Sequence, residues 1–318
     1  METSWPTSRS RRLASAMLGL LGAACVQTST LPLDDRSCST VELAGCAVRM
    51  LVDTGCEAMI FDPRGVQRLG LATAPRTAPD VTDATGITMP AMGVVTFEGL
   101  RFGTLTMSGD AAVLAVPAAW GEGVLGMSAL QACCCIFDFR GGVLHVTAGD
   151  LGDELAALYR KKVVARLPLV GARSLPVLTV RVDDRVDVPV LVDTGAETTS
   201  LPASVVASLG LPSAADPMAA QRRAEAAELQ RSLAEQIGPG GKVEVTVSTS
   251  PTRTSVGAHG QPVAEAMHLV RRLAIGPFVC RDVVATSSAE GRLGRDVLAR
   301  VVWMLHGPRR ELWLLEPN

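Results

Sequence analysis

Two carboxylates stand in identical local surroundings in this chain. Asp53 and Asp193 each sit inside the pentapeptide Leu-Val-Asp-Thr-Gly, at 51–55 and again at 191–195. Alone, an Asp of this kind is most often a turn residue whose short side chain bonds its own backbone. A matched pair permits more. Like charges side by side resist double ionisation, so two facing carboxyls keep one proton between them over a broad acidic to neutral range. The ionised member can take a proton from a water held between them, while the protonated member donates to the carbonyl oxygen of an amide. A tetrahedral intermediate then forms with no covalent bond to the protein.

The neighbouring residues suit such a site. The apolar "LV" before each Asp reads as a strand end, which brings the carboxylate out at the edge of a core. Gly55 and Gly195 allow a sharp bend and the close approach of another backbone. Thr54 and Thr194 carry hydroxyls that can be buried only if they are hydrogen-bonded, so they are expected to brace the two turns.

Used as a ruler, the pentapeptide divides the chain into two halves of one plan. Each half runs from the triplet through a middle hairpin to a Leu-Gly-x-x-x-Leu segment, "VLGMSAL" at 124–130 and "RLGRDVL" at 292–298, and ends in a terminal hairpin. Asp53 to Gly126 spans 73 residues and Asp193 to Gly294 spans 101. The excess of 28 fits an insertion at about 216–241, rich in Ala, Glu, Arg and Gln and closed by Pro-Gly-Gly, which reads as a surface helix. Residues 149–173 read as the connection, with a short amphipathic helix in 149–165 capped by Asp150 or Asp153 and finished by basic residues. Elsewhere short apolar or alternating strands dominate, and 30 Gly and 19 Pro punctuate them as frequent turns require.

These motifs give the chain a family likeness. "LVDTGAETTSLP" (191–202) resembles the aspartic peptidases of the retropepsin and pepsin group almost letter for letter. "LVDTGCEAMIF" (51–61) is similar, with Cys56 where Ala or Ser is usual, and "VLG" (124–126) fits the downstream hydrophobic-hydrophobic-Gly motif. "RLG" (292–294) departs from it through Arg292. The resemblance implies an all-β, bilobal acid-protease fold with two pseudo-symmetric barrel lobes, at 40–148 and 174–316. It implies Asp53 and Asp193 as the catalytic dyad, Thr54, Gly55, Thr194 and Gly195 in support, and a structural pair between Glu197 and Arg295. Met127 stands where lobe one would need the matching Arg, which leaves Glu57 read as a solvated acid. The family covers its dyad with hairpin flaps. Gly86 in lobe one and Gly257 to Gly260 in lobe two mark the candidates. The single tyrosine, Tyr159, lies in the connection, so the flaps resemble those of retropepsins rather than pepsins. His259 reads as a solvated loop residue.

The remaining features bound the function further. A net charge of −2 with mixed signs argues against a nucleic-acid partner. No C-x-x-C occurs and the four His are scattered, so no metal or other cofactor is expected. "RSRR" at 9–12 followed by an apolar run to Cys25 has the layout of an export signal, with 1–25 removed. Cys25 after "LGAA" adds a lipid-anchor reading, although Gly22 departs from that signal, and either reading places the protein in the periplasm or on the envelope membrane. In an oxidising compartment Cys38–Cys46 could close a loop and one cysteine of "CCC" (133–135) could pair elsewhere; the alternative is that they are small buried hydrophobes. Only five residues lie between Cys46 and Val52, which suggests that lobe one lacks a full hairpin before its triplet. The expected partner is a peptide or protein substrate, and a fused duplication is expected to act as a monomer. Two other readings stay open: a catalytically degenerate peptide-binding module of the same fold, and halves that pair with other chains in a larger assembly.

Overall fold

The computed structural model describes residues 27–74, 81–82, 88–171, 174–214, 252–256 and 262–316. The expected signal at 1–25, the insertion at 216–241, Gly86, Gly257, Gly260 and His259 lie outside the described residues.

Strand formation follows from β-branched residues at alternate positions. In Val177–Val182 and Val186–Val192, the valines at 180, 182, 188, 190 and 192 are all buried, whereas Thr179, Arg181, Asp187 and Pro189 face out. Tight turns join such strands. Ala44 and Gly45 both take positive φ, 53° and 76°, giving the two-residue connection between Cys38–Leu43 and Cys46–Val52. The hairpin leading into the first triplet is therefore complete, contrary to the sequence expectation. Its first strand, Cys38–Leu43, lies upstream of Cys46.

Each half builds a seven-stranded sheet. In lobe one the spatial order is Cys38–Leu43, Cys46–Val52, Gly123–Leu125, Ile60–Phe61, Leu105–Val113, Gly93–Phe102 and Thr73–Ala74. Glu42 pairs with Arg101, so the first strand also meets the sixth and the sheet closes into a barrel. Lobe two repeats the plan with Val177–Val182, Val186–Val192, Arg292–Leu293, Ser200–Pro202, Phe278–Ser288, Pro262–Ile275 and Thr252–Val256, closed where Arg181 and Val182 pair with Ala274 and Leu273. The fold is all-β and bilobal, as the resemblance implies. Two antiparallel pairs bracket the flap candidates: Val81–Thr82 with Thr88–Met89, and Val256 with Pro262.

A third, six-stranded sheet joins the lobes, in the order Ser29–Pro32, Val143–Ala148, Cys133–Asp138, Val302–His306, Glu311–Leu315 and Val163–Pro168. Its central seam pairs Cys135 with Leu305 and Ile136 with Met304, one strand from each half. Phe137 stacks on Trp303 across that seam with centroids 4.3 Å apart, and Trp303 and Trp313 are fully buried. This apolar seam fixes one lobe against the other.

The connection differs from its expected form. Its helix spans Gly152–Leu158, the cap is Leu151 without a side-chain bond, and the last turn holds no basic residue. Asp153 sits inside the first turn instead, and the rest of the connection becomes the edge strand Val163–Pro168. The seven cysteines among the described residues are all free. Cys38 and Cys46 lie at opposite ends of one hairpin, facing Leu51 and Leu43, which rules out the loop closure considered above. Cys133, Cys134 and Cys135 are buried in the sheet that joins the lobes. Among the described residues no helix is long and apolar enough to cross a membrane.

Candidate active site

The two triplets are delivered by equivalent strand pairs. Cys46–Val52 runs parallel to Gly123–Leu125, and the Asp53 amide donates to the Leu125 carbonyl at 3.0 Å. Val186–Val192 runs parallel to Arg292–Leu293, and the Asp193 amide donates to Leu293 at 3.1 Å. Beyond these bonds the chain turns out of each sheet, so each carboxyl emerges at a barrel end. The glycine after each downstream motif lets that segment cross directly over the turn. A Cβ on Gly126 would lie 2.2 Å from the Ala58 carbonyl oxygen, and one on Gly294 would lie 2.4 Å from the Thr198 carbonyl carbon. The crossing is then tied down: Met127 and Ser128 amides donate to Cys56 and Glu57 carbonyls at 2.7 and 2.8 Å, and Arg295 and Asp296 amides to Ala196 and Glu197 at 2.9 and 3.2 Å.

The threonines join the two lobes beneath the carboxyls. The Thr54 amide donates to Thr194 Oγ1 at 3.0 Å, and the Thr194 amide donates to Thr54 Oγ1 at 3.1 Å. Each hydroxyl then reaches into the other lobe: Thr54 Oγ1 donates to the Val192 carbonyl and Thr194 Oγ1 to the Val52 carbonyl, both at 2.6 Å. Both threonines are fully buried, and both of their amides and both of their hydroxyls are used. Ser37, which the sequence did not mark, adds a buried hydroxyl bond to the Thr194 carbonyl at 2.8 Å.

This lattice brings Asp53 and Asp193 within hydrogen-bonding reach of each other. A Cβ on Gly55 would lie 2.4 Å from Asp193 Cγ, and one on Gly195 would lie 2.5 Å from Asp53 Oδ2. Each glycine is thus the space that the opposite carboxyl occupies. Gly55 N donates to Asp53 Oδ1 at 2.8 Å; Gly195 N and Ala196 N both donate to Asp193 Oδ1 at 2.9 Å. Asp193 is only 5% exposed, while Asp53 keeps some exposure toward the cleft. Burial, and after it the charge of Asp193, holds the Asp53 carboxyl well above the usual carboxylate range.

Other residues around the pair are less symmetric. Arg292 brings Nε to 3.9 Å from Asp193 Oδ2 with its side chain 13% exposed. The sequence marked Arg292 only as a departure from a motif; its position one strand across from Leu191 could have been read from the parallel pairing of the repeat. Cys56 donates its thiol to the Ala58 carbonyl at 3.3 Å and packs against the small buried cluster that includes Cys38, Leu51 and Val124. Burial pushes that thiol up to about 12, with Asp53 adding to the effect, so it is a poor nucleophile. Burial pulls Arg295 down, and the opposing charge of Glu197 is the largest electrostatic support it receives; its guanidinium donates to the Asp35 carbonyl at 2.8 Å. Glu57 is exposed, as a solvated acid should be, and accepts from Ser174 Oγ at 2.8 Å where the end of the connection passes beside it. Asp296 accepts from the Thr199 amide and hydroxyl at 2.8 and 2.7 Å, a brace for the second turn that sequence reading missed. Among the described residues no group of three or more His, Cys, Asp or Glu is arranged to hold a metal ion.

Comparison with known proteins agrees with this geometry. The Aspartyl protease family model matches residues 39–129 and 178–230, one stretch in each lobe. The two fused halves thus each carry the likeness. No curated protein matches the chain.

Proposed function

We propose, taking the Aspartyl protease likeness of both halves as the premise, that this protein is an aspartic endopeptidase. It hydrolyses peptide bonds with a water activated between Asp53 and Asp193. The observation that carries the reading is the meeting of the two carboxyls, held together by the reciprocal threonine bonds and separated from each other's turns only by Gly55 and Gly195.

Two acids at this separation share one proton, because a second negative charge there is costly. The anionic member deprotonates the water as its oxygen adds to the amide carbon. The protonated member gives its proton to the carbonyl oxygen, leaving a neutral tetrahedral adduct that collapses with protonation of the leaving amine. The threonines and the turn amides hold the carboxyls in place through these transfers, which is preorganisation rather than direct participation. One chain supplies both acids, so a single copy suffices. The N-terminal basic and apolar run supports export before the enzyme acts.

The test is turnover of casein and of a mixed peptide library at pH values between about 3 and 7. Wild type should cleave, and Asp53→Asn and Asp193→Asn should each abolish cleavage with the fold intact by circular dichroism. Undiminished activity in either variant removes that residue from the dyad. Peptide binding without turnover in the wild type would identify a non-catalytic binding module instead.

A further inference from the structure

The pseudo-twofold relation between the lobes breaks at one place beside the dyad. Arg292 pairs in parallel with Leu191, two residues before Asp193. Its counterpart in lobe one, paired with Leu51, is Val124, which is 2% exposed. An isopropyl group thus flanks the strand of Asp53, and a guanidinium flanks Asp193. At 3.9 Å and 13% exposure the attraction between Arg292 and Asp193 is weakly screened by solvent.

The backbone amides are arranged differently around the two acids but are equal in number. Asp193 Oδ1 collects two amides from its own turn, Gly195 and Ala196. The equivalent amide in lobe one, Cys56 N, goes to the Asp53 carbonyl oxygen at 3.4 Å; the Asp53 carboxyl receives the Gly55 amide of its own turn and the Gly195 amide of the facing one. Hydrogen bonds to a carboxylate stabilise its charged form, and here they serve both acids, so the difference between the two lies in Arg292. Other charged or titratable groups on the surrounding elements include Asp53, Cys56 and Glu57 on the facing turn, Glu197 on the same turn, Glu290 just before Arg292, Cys46 at the start of a delivering strand, and Arg295 and Asp296 on the short helix Arg295–Leu298. On the two delivering strands, Arg49 is bound to Asp34 and Asp187 to Arg181. Of the cations among the described residues, Arg292 lies within ion-pair distance of Asp193.

Resting on the peptidase reading above, we propose that Arg292 is a positioning residue that holds Asp193 as the anion of the pair and leaves the shared proton on Asp53. The roles then separate. Water gives its proton to Asp193 while its oxygen bonds to the amide carbon, and Asp53 passes its proton to the carbonyl oxygen. The raised proton affinity of Asp53 agrees with this division.

The direct test removes the coupling. In Asp53→Asn the full-length protein keeps Asp193 as the single carboxyl of the pair, and carbon-13 NMR titration reads its midpoint. Adding Arg292→Met should raise that midpoint by about one pH unit or more, whereas Arg292→Lys should leave it near its starting value. Equal midpoints in all three backgrounds overturn the proposal. With the dyad intact, the acid limb of the kcat/KM profile marks ionisation of the base; it should move to higher pH in Arg292→Met and stay in place in Arg292→Lys. A uniform drop across the profile with no movement of the limb shows packing alone and also overturns it. If Arg292→Met does not fold, Arg292→Gln carries the same comparison with a polar stem. A wild-type protein that cleaves nothing defeats the peptidase reading, while the titration still decides what Arg292 does to Asp193.

Discussion

Thr54 and Thr194 exchange amide-to-hydroxyl bonds at 3.0 and 3.1 Å, and each hydroxyl donates onward to a carbonyl of the other lobe. Two local turns become one object through this exchange. Removing either hydroxyl strands a buried amide and a buried carbonyl at once.

Thr54→Val or Thr194→Val should therefore destabilise the protein by about 2–4 kcal/mol, the cost of orphaning buried polar groups, and lower kcat/KM steeply. Serine at either position keeps the hydroxyl and should restore most of both. Thermal melts and initial rates on the four variants check this; equal losses for Val and Ser would mean that the methyl group matters and the hydroxyl does not.

Gly55→Ala and Gly195→Ala should separate activity from stability. The new methyl would overlap the opposite carboxyl, at 2.4 Å from Asp193 Cγ or 2.5 Å from Asp53 Oδ2. Overpacking of this kind costs about 1–3 kcal/mol, which a protein of this size tolerates, but the pair cannot close around one proton. The expected result is a folded protein without measurable turnover. A variant retaining wild-type kcat would show that the carboxyls need not touch.

Asp53 makes stability depend on pH in a stated direction. Its folded-state affinity for a proton is raised, by burial and then by Asp193, above the unfolded reference of 3.8. The native state thus binds more protons than the unfolded one over that interval, and stability falls as pH rises through it. Asp53→Asn should melt higher than wild type at neutral pH, and the gap should close as pH falls toward 3.8. Calorimetry across the acid range reads it out. A gap that is constant with pH, or opposite in sign, contradicts the assignment of the proton to this site.

Thiol reagents should leave activity unchanged. Cys56 adjoins the dyad, yet its thiol is pushed up to about 12 and stays protonated at ordinary pH. Cys46 is exposed on its hairpin and should be alkylated by iodoacetamide. Mass spectrometry after treatment should find modification at Cys46 with full peptide turnover. Inactivation that tracks modification of Cys56 would point to a thiol-dependent site instead.

Legibility in the sequence divided along a physical line. The twin pentapeptides, the alternating valines of 177–192 and the glycines at 126 and 294 are local signals: a strand end, a period of two, a place where backbone must pass close. From these the all-β class, the two lobes and the candidate acids could be read from the chain alone. The strand at Val163–Pro168 could not, because the exposed Val164 breaks its apolar/polar alternation, and its partner Glu311–Leu315 arrives about 150 residues later. The same holds for Ser29–Pro32, whose pairing with Val143–Ala148 gives it its only reason to be a strand.

The contacts that decide the chemistry belong wholly to the tertiary structure. Whether two Asp-Thr-Gly turns face each other depends on both barrels closing and on the apolar seam at Cys135, Leu305, Phe137 and Trp303 setting one lobe against the other. Only then does Thr54 meet Thr194, and only then does Gly55 become the gap that Asp193 fills. The sequence shows an arginine where a hydrophobic residue was expected; parallel pairing with Leu191 is what turns position 292 toward an acid. Side-chain type is written locally, but whether residues 53 and 193 can share a proton depends on distance, and distance is set by packing of the whole chain.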